Sequence, residues 1–362
     1  MPKSVRRTSP GTAIAAIVLA LITLAAATVL FAPHLLGLQR TIFVAQAIPF
    51  RVPIVIGATV LLFGLLIAIA SSRGARRLLG GVAIVLTVFV VASVGLVASR
   101  GIGDPNVPAE YSAEDIRVLS WNTRGDEPGS PAIATLAIDY GADVVVLPET
   151  TEEMGVEIAN LMAEAGSPMW VHTRTFDEEY RATSTTLLIA PDLGDYVVVT
   201  DEGDTGTLPT VIARPLGTGP TIVAAHPVAP TPLNMDQWET DLEWLAGLCA
   251  GNVIMAGDFN ATIDHLVGLG ATDSNGGSNW VTLGEPAETA YDFGECVDGA
   301  RATGNGALGT WTTGLPPLLG AQIDHVMATS QWRFTGFEVV TSVDRAGSDH
   351  RPVFAQLSPA YA

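Results

Sequence analysis

Three transmembrane helices followed by one strand-rich α/β domain, with two packed sheets and helices outside, is the architecture that this sequence predicts. Three observations carry it. All 37 acidic residues of the 362-residue chain lie after residue 100. Three uncharged runs, Thr12–Ala32, Val52–Ala70 and Leu78–Ala98, fall before that point. Beyond it, short apolar runs rich in β-branched residues repeatedly end in a polar side chain.

Each uncharged run is 19 or 21 residues long. At 1.5 Å per residue, such a helix crosses a hydrocarbon core of about 30 Å. A cleaved signal peptide would explain the first run at most. Lys3, Arg6 and Arg7 precede the first span, and Arg73, Arg76 and Arg77 separate the second from the third. Basic flanks stay inside, so the N-terminus and the 71–77 loop belong in the cytoplasm, and three crossings put residues 101–362 outside. The apolar 33–51 loop suits the membrane interface. The expected organisation is an anchor over 1–100, a Gly/Pro-containing linker over 101–114 and a catalytic domain over 115–358.

Residues 1–100 carry nine basic and no acidic side chains, a charge of +9; the rest carries nine basic against 37 acidic, a charge of −28. With a mean hydropathy of +0.37, this excludes a disordered chain. It also argues against a nucleic-acid binder, which needs clustered Lys and Arg.

Within the domain, Arg117–Asn122 and Asp143–Pro148 read as strands around a helix over Pro131–Tyr140 ended by Gly141. Further strands are expected over Ser184–Ile189, Tyr196–Thr200, Thr210–Ala213, Thr221–Ala225, Val253–Ala256, Ile323–Ala328 and Pro352–Gln356. A helix over Met235–Ala250 places Trp238, Leu242, Leu245 and Cys249 on one face, with Gly251 suited to the position after its end. Cys249 and Cys296 are the two cysteines. An extracytoplasmic domain permits a disulfide between them; two reduced, buried thiols are the alternative.

Polar residues cluster at the strand exits. In VIMAGDFN, Asp258 and Asn260 are two apart and share one side of an extended chain, a pair suited to positioning water in phosphoryl chemistry. In SDHRP, Asp349 and His350 set a hard-cation ligand beside a titratable ring. In IDHV, Asp324 sits inside an apolar strand, where an unpaired charge is costly; an imidazole partner, His350, would answer it. His325 points the other way and reads as structural. Asn122, Glu149 and His226 each follow an apolar strand. Together they specify an oxygen-rich site for a hard divalent ion, with two imidazoles.

The ordered set WN (121–122), PET (148–150), AHP (225–227), GDFNA (257–261), IDHV (323–326) and SDHRP (348–352) resembles the endonuclease/exonuclease/phosphatase superfamily over residues 115–358. The resemblance implies a four-layer α/β/β/α sandwich of the DNase I-like type and a dependence on Mg²⁺, with Mn²⁺ as the alternative. It implies Glu149 as principal metal ligand, Asn122 beside it and Asp349 as a further acid. Asp258 would orient or deprotonate water, and Asn260 and His226 would hold phosphoryl oxygens. His350, oriented by Asp324, would be the acid/base or transition-state stabiliser. One region departs from the pattern. Where the family offers a Tyr, Arg or second Glu near the phosphate, this chain reads RTFDEEYRATSTT, leaving Tyr180 and Arg181 as candidates or as a solvated loop.

The resemblance does not choose the phosphoester. The acidic domain and the anchor favour a phosphate or diphosphate on a lipid over a polyanionic duplex. The arrangement is similar to the bacterial membrane-tethered members linked to teicoplanin resistance, which act on undecaprenyl pyrophosphate. The expected partners are therefore the cell-membrane bilayer and a phosphorylated lipid. An anchored extracellular nuclease of the DNase I type is the alternative, hydrolysis of another small phosphoester the third reading, and a non-catalytic binding module the fourth.

Overall fold

A computed structural model describes residues 10–103, 111–270 and 292–360. Lys3, Arg6, Arg7 and linker residues 104–110 lie outside the described residues. The chain divides into two compact units, Met1–Ser99 and Arg100–Ala362.

The first unit is built on α1 (Pro10–Phe31), α3 (Arg51–Ser71) and α4 (Arg73–Arg100), with a short α2 (Val44–Ala47) in the first connection. The stretches Pro10–Phe31, Val44–Ser71 and Arg73–Arg100 are each long and apolar enough to cross a membrane. The last begins five residues before its uncharged run, because Arg73, Arg76 and Arg77 are good helix formers and continue the spiral. Arg51 Nη1 donates to the Leu30 and Phe31 carbonyls at 3.3 and 3.1 Å, satisfying groups that the end of α1 leaves unpaired.

In the second unit, β1 (Ile116–Ser120) and β2 (Val144–Pro148) run parallel. They join β3 (Trp170–Thr175) and β4 (Ser184–Ile189) in one mixed sheet. The other mixed sheet takes β5 (Tyr196–Val199), β6 (Val211–Pro215), β7 (Thr221–Ala225), β8 (Val253–Asp258), β9 (Cys296–Asp298) and β10 (Asp324–Thr329). The chain then returns to the first sheet as β11 (Trp332–Val339) and β12 (Val353–Pro359). The orders are β11-β12-β1-β2-β4-β3 and β5-β6-β7-β8-β10-β9.

Alternate residues of both sheets meet in one core: Val118, Val144, Val146 and Leu187 against Val211, Ala224, Ile254 and Val326. The opposite face of the first sheet, with Leu119, Val145 and Leu147, lies under α5 (Ser130–Asp139) and α6 (Glu152–Glu164). Burial on both faces explains why DVVVLP is a continuous apolar run and does not alternate. α7 (Met235–Leu248) buries Trp238, Leu242 and Leu245. Two one-turn helices follow, α8 (Ile263–Leu266) and α9 (Gly299–Ala302). This is the DNase I-like sandwich of two mixed sheets with flanking helices.

Some boundaries differ from the sequence reading. α7 stops at Leu248, two residues before Ala250, because Cys249 leaves helical geometry and is disulfide-bonded to Cys296. β8 runs on through Gly257 to Asp258, since both pair with β10. β3, β9, β11 and α6 are additional elements. β3 and β11 are edge strands with half-exposed, mixed-polarity sequences, and β11 is interrupted between Phe334 and Gly336. α6 carries a legible start, because the Thr151 side chain accepts from Met154 N ahead of Glu152 and Glu153.

Candidate active site

Strand direction gathers the polar residues. β1 and β2 are parallel, as are β7 and β8. β10 and β12 run antiparallel to β8 and β1, so their starts lie beside the others' ends. The six exits therefore meet at one edge of the sandwich. Glu149 and Asn260 bend the chain there in left-handed backbone, at φ 57° and 48°. That conformation costs a non-glycine residue on the order of 1 kcal/mol and clusters at functional sites. Thr123 Oγ1 holds the Glu149 carbonyl at 2.7 Å. At Gly257, φ 148°, a Cβ would collide with the Ala225 carbonyl.

Asp258 and Asp324 stand directly opposite each other across β8 and β10. Two buried carboxylates in cross-strand register repel, and His350 resolves the conflict. Its Nδ1 lies 2.9 Å from Asp324 Oδ2 and 3.2 Å from Oδ1. Its Nε2 lies 3.8 Å from Asp258 Oδ2. Burial alone would lower the His350 pKa, but Asp324 and then Asp258 outweigh it and hold the ring at about 10, an imidazolium at neutral pH. Burial first, and then the Asp324 charge, push Asp258 up to about 7 against the pull of His350. These three side chains form a cluster within 4.8 Å. Both ring nitrogens face carboxylates, so the cluster reads as a charged acid–base unit and not as a ligand set.

Around it, Asn122 Nδ2 donates to Glu149 Oε1 and Asp258 Oδ2, both at 3.0 Å. Asn122 Oδ1 accepts from Arg124 N at 2.9 Å. Asn122 is thus a bridge between two carboxylates, and its oxygen keeps a second lone pair for a cation beside Glu149. Asn260 N donates to Asp258 Oδ1 at 2.8 Å, and its Nδ2 reaches the Pro227 carbonyl at 3.1 Å and Asp258 Oδ2 at 3.3 Å. His226 is buried; burial and the charge on His350 lower its pKa to about 3, so it is neutral. Thr185 Oγ1 lies 3.3 Å from its Nδ1. Its Nε2 has no hydrogen-bond partner among the described residues and lies 4.0 Å from Glu149 Oε1.

Glu149 is raised above the usual carboxylate range by burial and by the negative charge of Asp349, against the Asn122 hydrogen bond and the His350 charge. Asp349 Oδ2 accepts from Trp311 Nε1 at 3.0 Å, and Arg124 Nε lies 3.8 Å from its Oδ1. Two oxygen donors that repel each other, Glu149 and Asp349, are a donor pair that fits a hard divalent cation. His325 is satisfied structurally, Nδ1 to Asp298 Oδ2 at 2.6 Å and Nε2 to the Ala261 carbonyl at 2.8 Å. Tyr180 is exposed, and Arg181 reaches Asp126 only at 3.9 Å, so both stand at the rim.

Three contributors were not apparent in the sequence: Thr185, Trp311 and Arg351. Trp121 Nε1, inside the WN motif, donates to the His350 carbonyl at 2.9 Å. Ser348 Oγ donates to the Asn122 carbonyl at 2.6 Å and accepts from His350 N at 3.0 Å. These bonds tie β1 to the SDHRP turn. Arg351 lies inside SDHRP, whose reading rested on Asp349 and His350, and Thr185 and Trp311 stand in unremarkable contexts and are recruited by pairing across the fold.

A two-sheet sandwich with a carboxylate–imidazole–carboxamide cluster at its strand exits defines a phosphoesterase fold. A family model described as Endonuclease/Exonuclease/phosphatase family matches residues 119–350, and the chain belongs to that family, whose members are phosphodiesterases and phosphatases acting with divalent metals. Among solved structures, an endonuclease/exonuclease/phosphatase from Beutenbergia cavernae DSM 12333 is similar at 21% identity, over 68% of this chain and 72% of that one, with a TM-score of 0.48. A humanized D. rerio TDP2 is similar at 15% identity, over 68% of this chain and 100% of that one, with a TM-score of 0.49. The endonuclease domain of TRAS1, a telomere-specific non-LTR retrotransposon, is similar at 16% identity, over 68% and 99%, with a TM-score of 0.42. No curated protein matches the chain.

Proposed function

We propose that this protein is a membrane-anchored, metal-dependent phosphoesterase that hydrolyses a lipid-borne phosphate or pyrophosphate, such as undecaprenyl pyrophosphate, outside the cytoplasm. The observation that carries the chemistry is the Asp258–His350–Asp324 unit. Asp258, with a pKa of about 7, is matched to taking a proton from water near neutral pH. The His350 imidazolium, oriented by Asp324, offsets negative charge growing on the phosphoryl oxygens. In the tautomer in which Thr185 donates to Nδ1, neutral His226 carries its proton on the otherwise unpartnered Nε2 and offers it to the same oxygens. Glu149 and Asp349 would hold Mg²⁺, or Mn²⁺ in its place, with Asn122 fixing the Glu149 carboxylate. A cation bound there supplies Lewis-acid polarisation of the phosphoryl group.

Three apolar helices joined to a domain of charge −28 favour a substrate that resides in the bilayer over a polyanionic duplex. The Cys249–Cys296 disulfide supports an oxidising, extracytoplasmic location, in agreement with the basic flanks of the anchor. Purified full-length protein should release phosphate from detergent-solubilised undecaprenyl pyrophosphate, leave plasmid DNA intact, and lose activity in Asp258→Ala. Cleavage of DNA that weakens steeply with salt, without phosphate release from lipid, would instead make it an anchored nuclease.

A further inference from the structure

The two sides of the site's mouth differ in character. On the first-sheet side, the loop leading into β4 carries exposed Asp177, Glu178 and Glu179, between exposed Phe176 and Tyr180. On the second-sheet side, two connections flank β8 and neither bears a charge: residues 227–235, after β7, and residues 302–323, before β10. Their tips are apolar and open. Leu233 is 95% exposed, and Leu315 and Leu318 are 37% and 38% exposed. Pro232 and Pro316 beside them are exposed as well.

These leucines stand on a fixed platform. The buried Arg351 guanidinium donates to the Thr312, Thr313 and Leu315 carbonyls at 3.2, 3.3 and 2.6 Å, and is charge-paired with Asp344 at 2.8 Å. Thr313 N donates to the Asp349 carbonyl at 3.0 Å, and Asn260 holds the Pro227 carbonyl. The Leu315 loop is therefore tied to the residues of the site, and the 227–235 connection is anchored to the site at its start.

The point at which the chain enters this unit lies in the same region. Arg100, its first residue, makes a bidentate pair with Asp264 at 2.9 and 2.6 Å, six residues beyond Asp258. Its carbonyl accepts from Gly306 N, and that of Gly101 from Ala307 N, both donors lying in the uncharged 302–323 stretch. Residues 78–99, immediately before Arg100, are an uncharged apolar run.

We propose that Leu233, Leu315 and Leu318 form an apolar lip that seats in the surface of the bilayer carrying the protein, so that a lipid headgroup enters the site from the membrane plane while the acidic lip faces water. The chemistry is that of interfacial contact, in which apolar side chains on uncharged loop tips partition into the headgroup–acyl boundary; exposed Asp236, three residues after Leu233, already belongs to the first turn of α7. The proposal rests on the lipid-phosphoester reading and narrows it to a substrate presented by a bilayer.

The test reconstitutes the full-length protein in phosphatidylcholine vesicles with brominated acyl chains, and places a bimane label at Leu233→Cys or Leu318→Cys. Leu216→Cys is the control; it is equally apolar and, at 71%, its exposure lies between those of Leu233 and Leu318, but it lies in the β6–β7 turn at the opposite end. Labels at 233 and 318 should be quenched by at least about twofold, and the label at 216 left bright. Labels at 233 and 318 that stay bright, or quenching equal to that at 216, would overturn the lip. In a second arm, Leu233→Glu/Leu318→Glu should lower phosphate release from a vesicle-borne phosphorylated lipid by about tenfold and leave hydrolysis of a water-soluble short-chain phosphoester unchanged. Equal losses on both substrates would also overturn it. If the labels are quenched while the unmodified protein releases phosphate from no lipid, the lip stands and the lipid-phosphoester reading fails.

Discussion

Replacing Asp324 with Asn keeps the shape of the side chain and removes one negative charge from beside His350. The carboxylate contacts Nδ1 at 2.9 and 3.2 Å and is fully buried. For charge centres about 4 Å apart in an effective dielectric of about 20, the interaction is about 4 kcal/mol. At about 1.36 kcal/mol per pKa unit, that is roughly three units. His350 should then fall from about 10 toward the ordinary imidazole range. If the imidazolium is the active form, activity is lost as pH rises through its pKa. The basic limb of the pH–rate profile should therefore move to lower pH by at least about two units. At pH 7.5 a ring titrating near 7 is only about a quarter protonated, a loss of roughly fourfold, and a ring held by a neutral amide also loses its orientation, so kcat for phosphate release should fall further, toward the roughly 10²-fold worth of a positioned acid or base. Half-saturation by Mg²⁺ should change little. His350→Ala should be about as damaging, and the double variant scarcely worse, because groups that act as one unit are non-additive. A basic limb that stays in place, or losses that multiply, would refute the pairing as the source of activity and leave Asp324 a structural acid.

Glu149→Gln should reduce kcat by at least about 10²-fold and raise the Mg²⁺ needed for half-maximal rate, and wild-type activity should vanish in EDTA and return with Mg²⁺ or Mn²⁺. Full activity in EDTA would remove Glu149 and Asp349 from consideration as ligands. His226 folds with a pKa near 3, against 6.5 when unfolded. Its neutrality therefore adds stability that is fully present above about pH 6.5 and is lost as pH falls toward 3, with an upper limit of about 5 kcal/mol. Melting curves should show wild type losing stability relative to His226→Gln between pH 7 and 4.5; parallel curves would contradict this. Reducing the Cys249–Cys296 bond, which closes a separation of 47 residues, should cost up to about 4 kcal/mol of stability, read as a lower Tm in dithiothreitol. A reporter fused after Ala362 should be active only outside the cytoplasm, with alkaline phosphatase on and green fluorescent protein dark; the reverse would overturn the orientation.

That the first hundred residues hold three helices long and apolar enough to cross a membrane follows from the chain alone, because solvation of an uncharged 20-residue helix is a local property of its side chains. The strand-exit positions of Asn122, Glu149, His226 and Asp258 were equally legible, since an apolar run broken by a polar residue marks where a buried strand leaves the core. Even the Asp324–His350 pair could be inferred, because a carboxylate inside an apolar strand demands a partner. Other features were decided only by long-range pairing. The register that sets Asp258 opposite Asp324 depends on β8 and β10 meeting across 66 residues of sequence, and it alone explains why His350 is held between two carboxylates. The amide of Asn122 turned toward Glu149 and Asp258, and the union of Cys249 with Cys296, likewise depend on strands distant in the chain. The edge strands β3 and β11 escaped because their half-exposed faces carry no apolar run; sheet edges are defined by a neighbour on one side only, and tertiary packing supplies it.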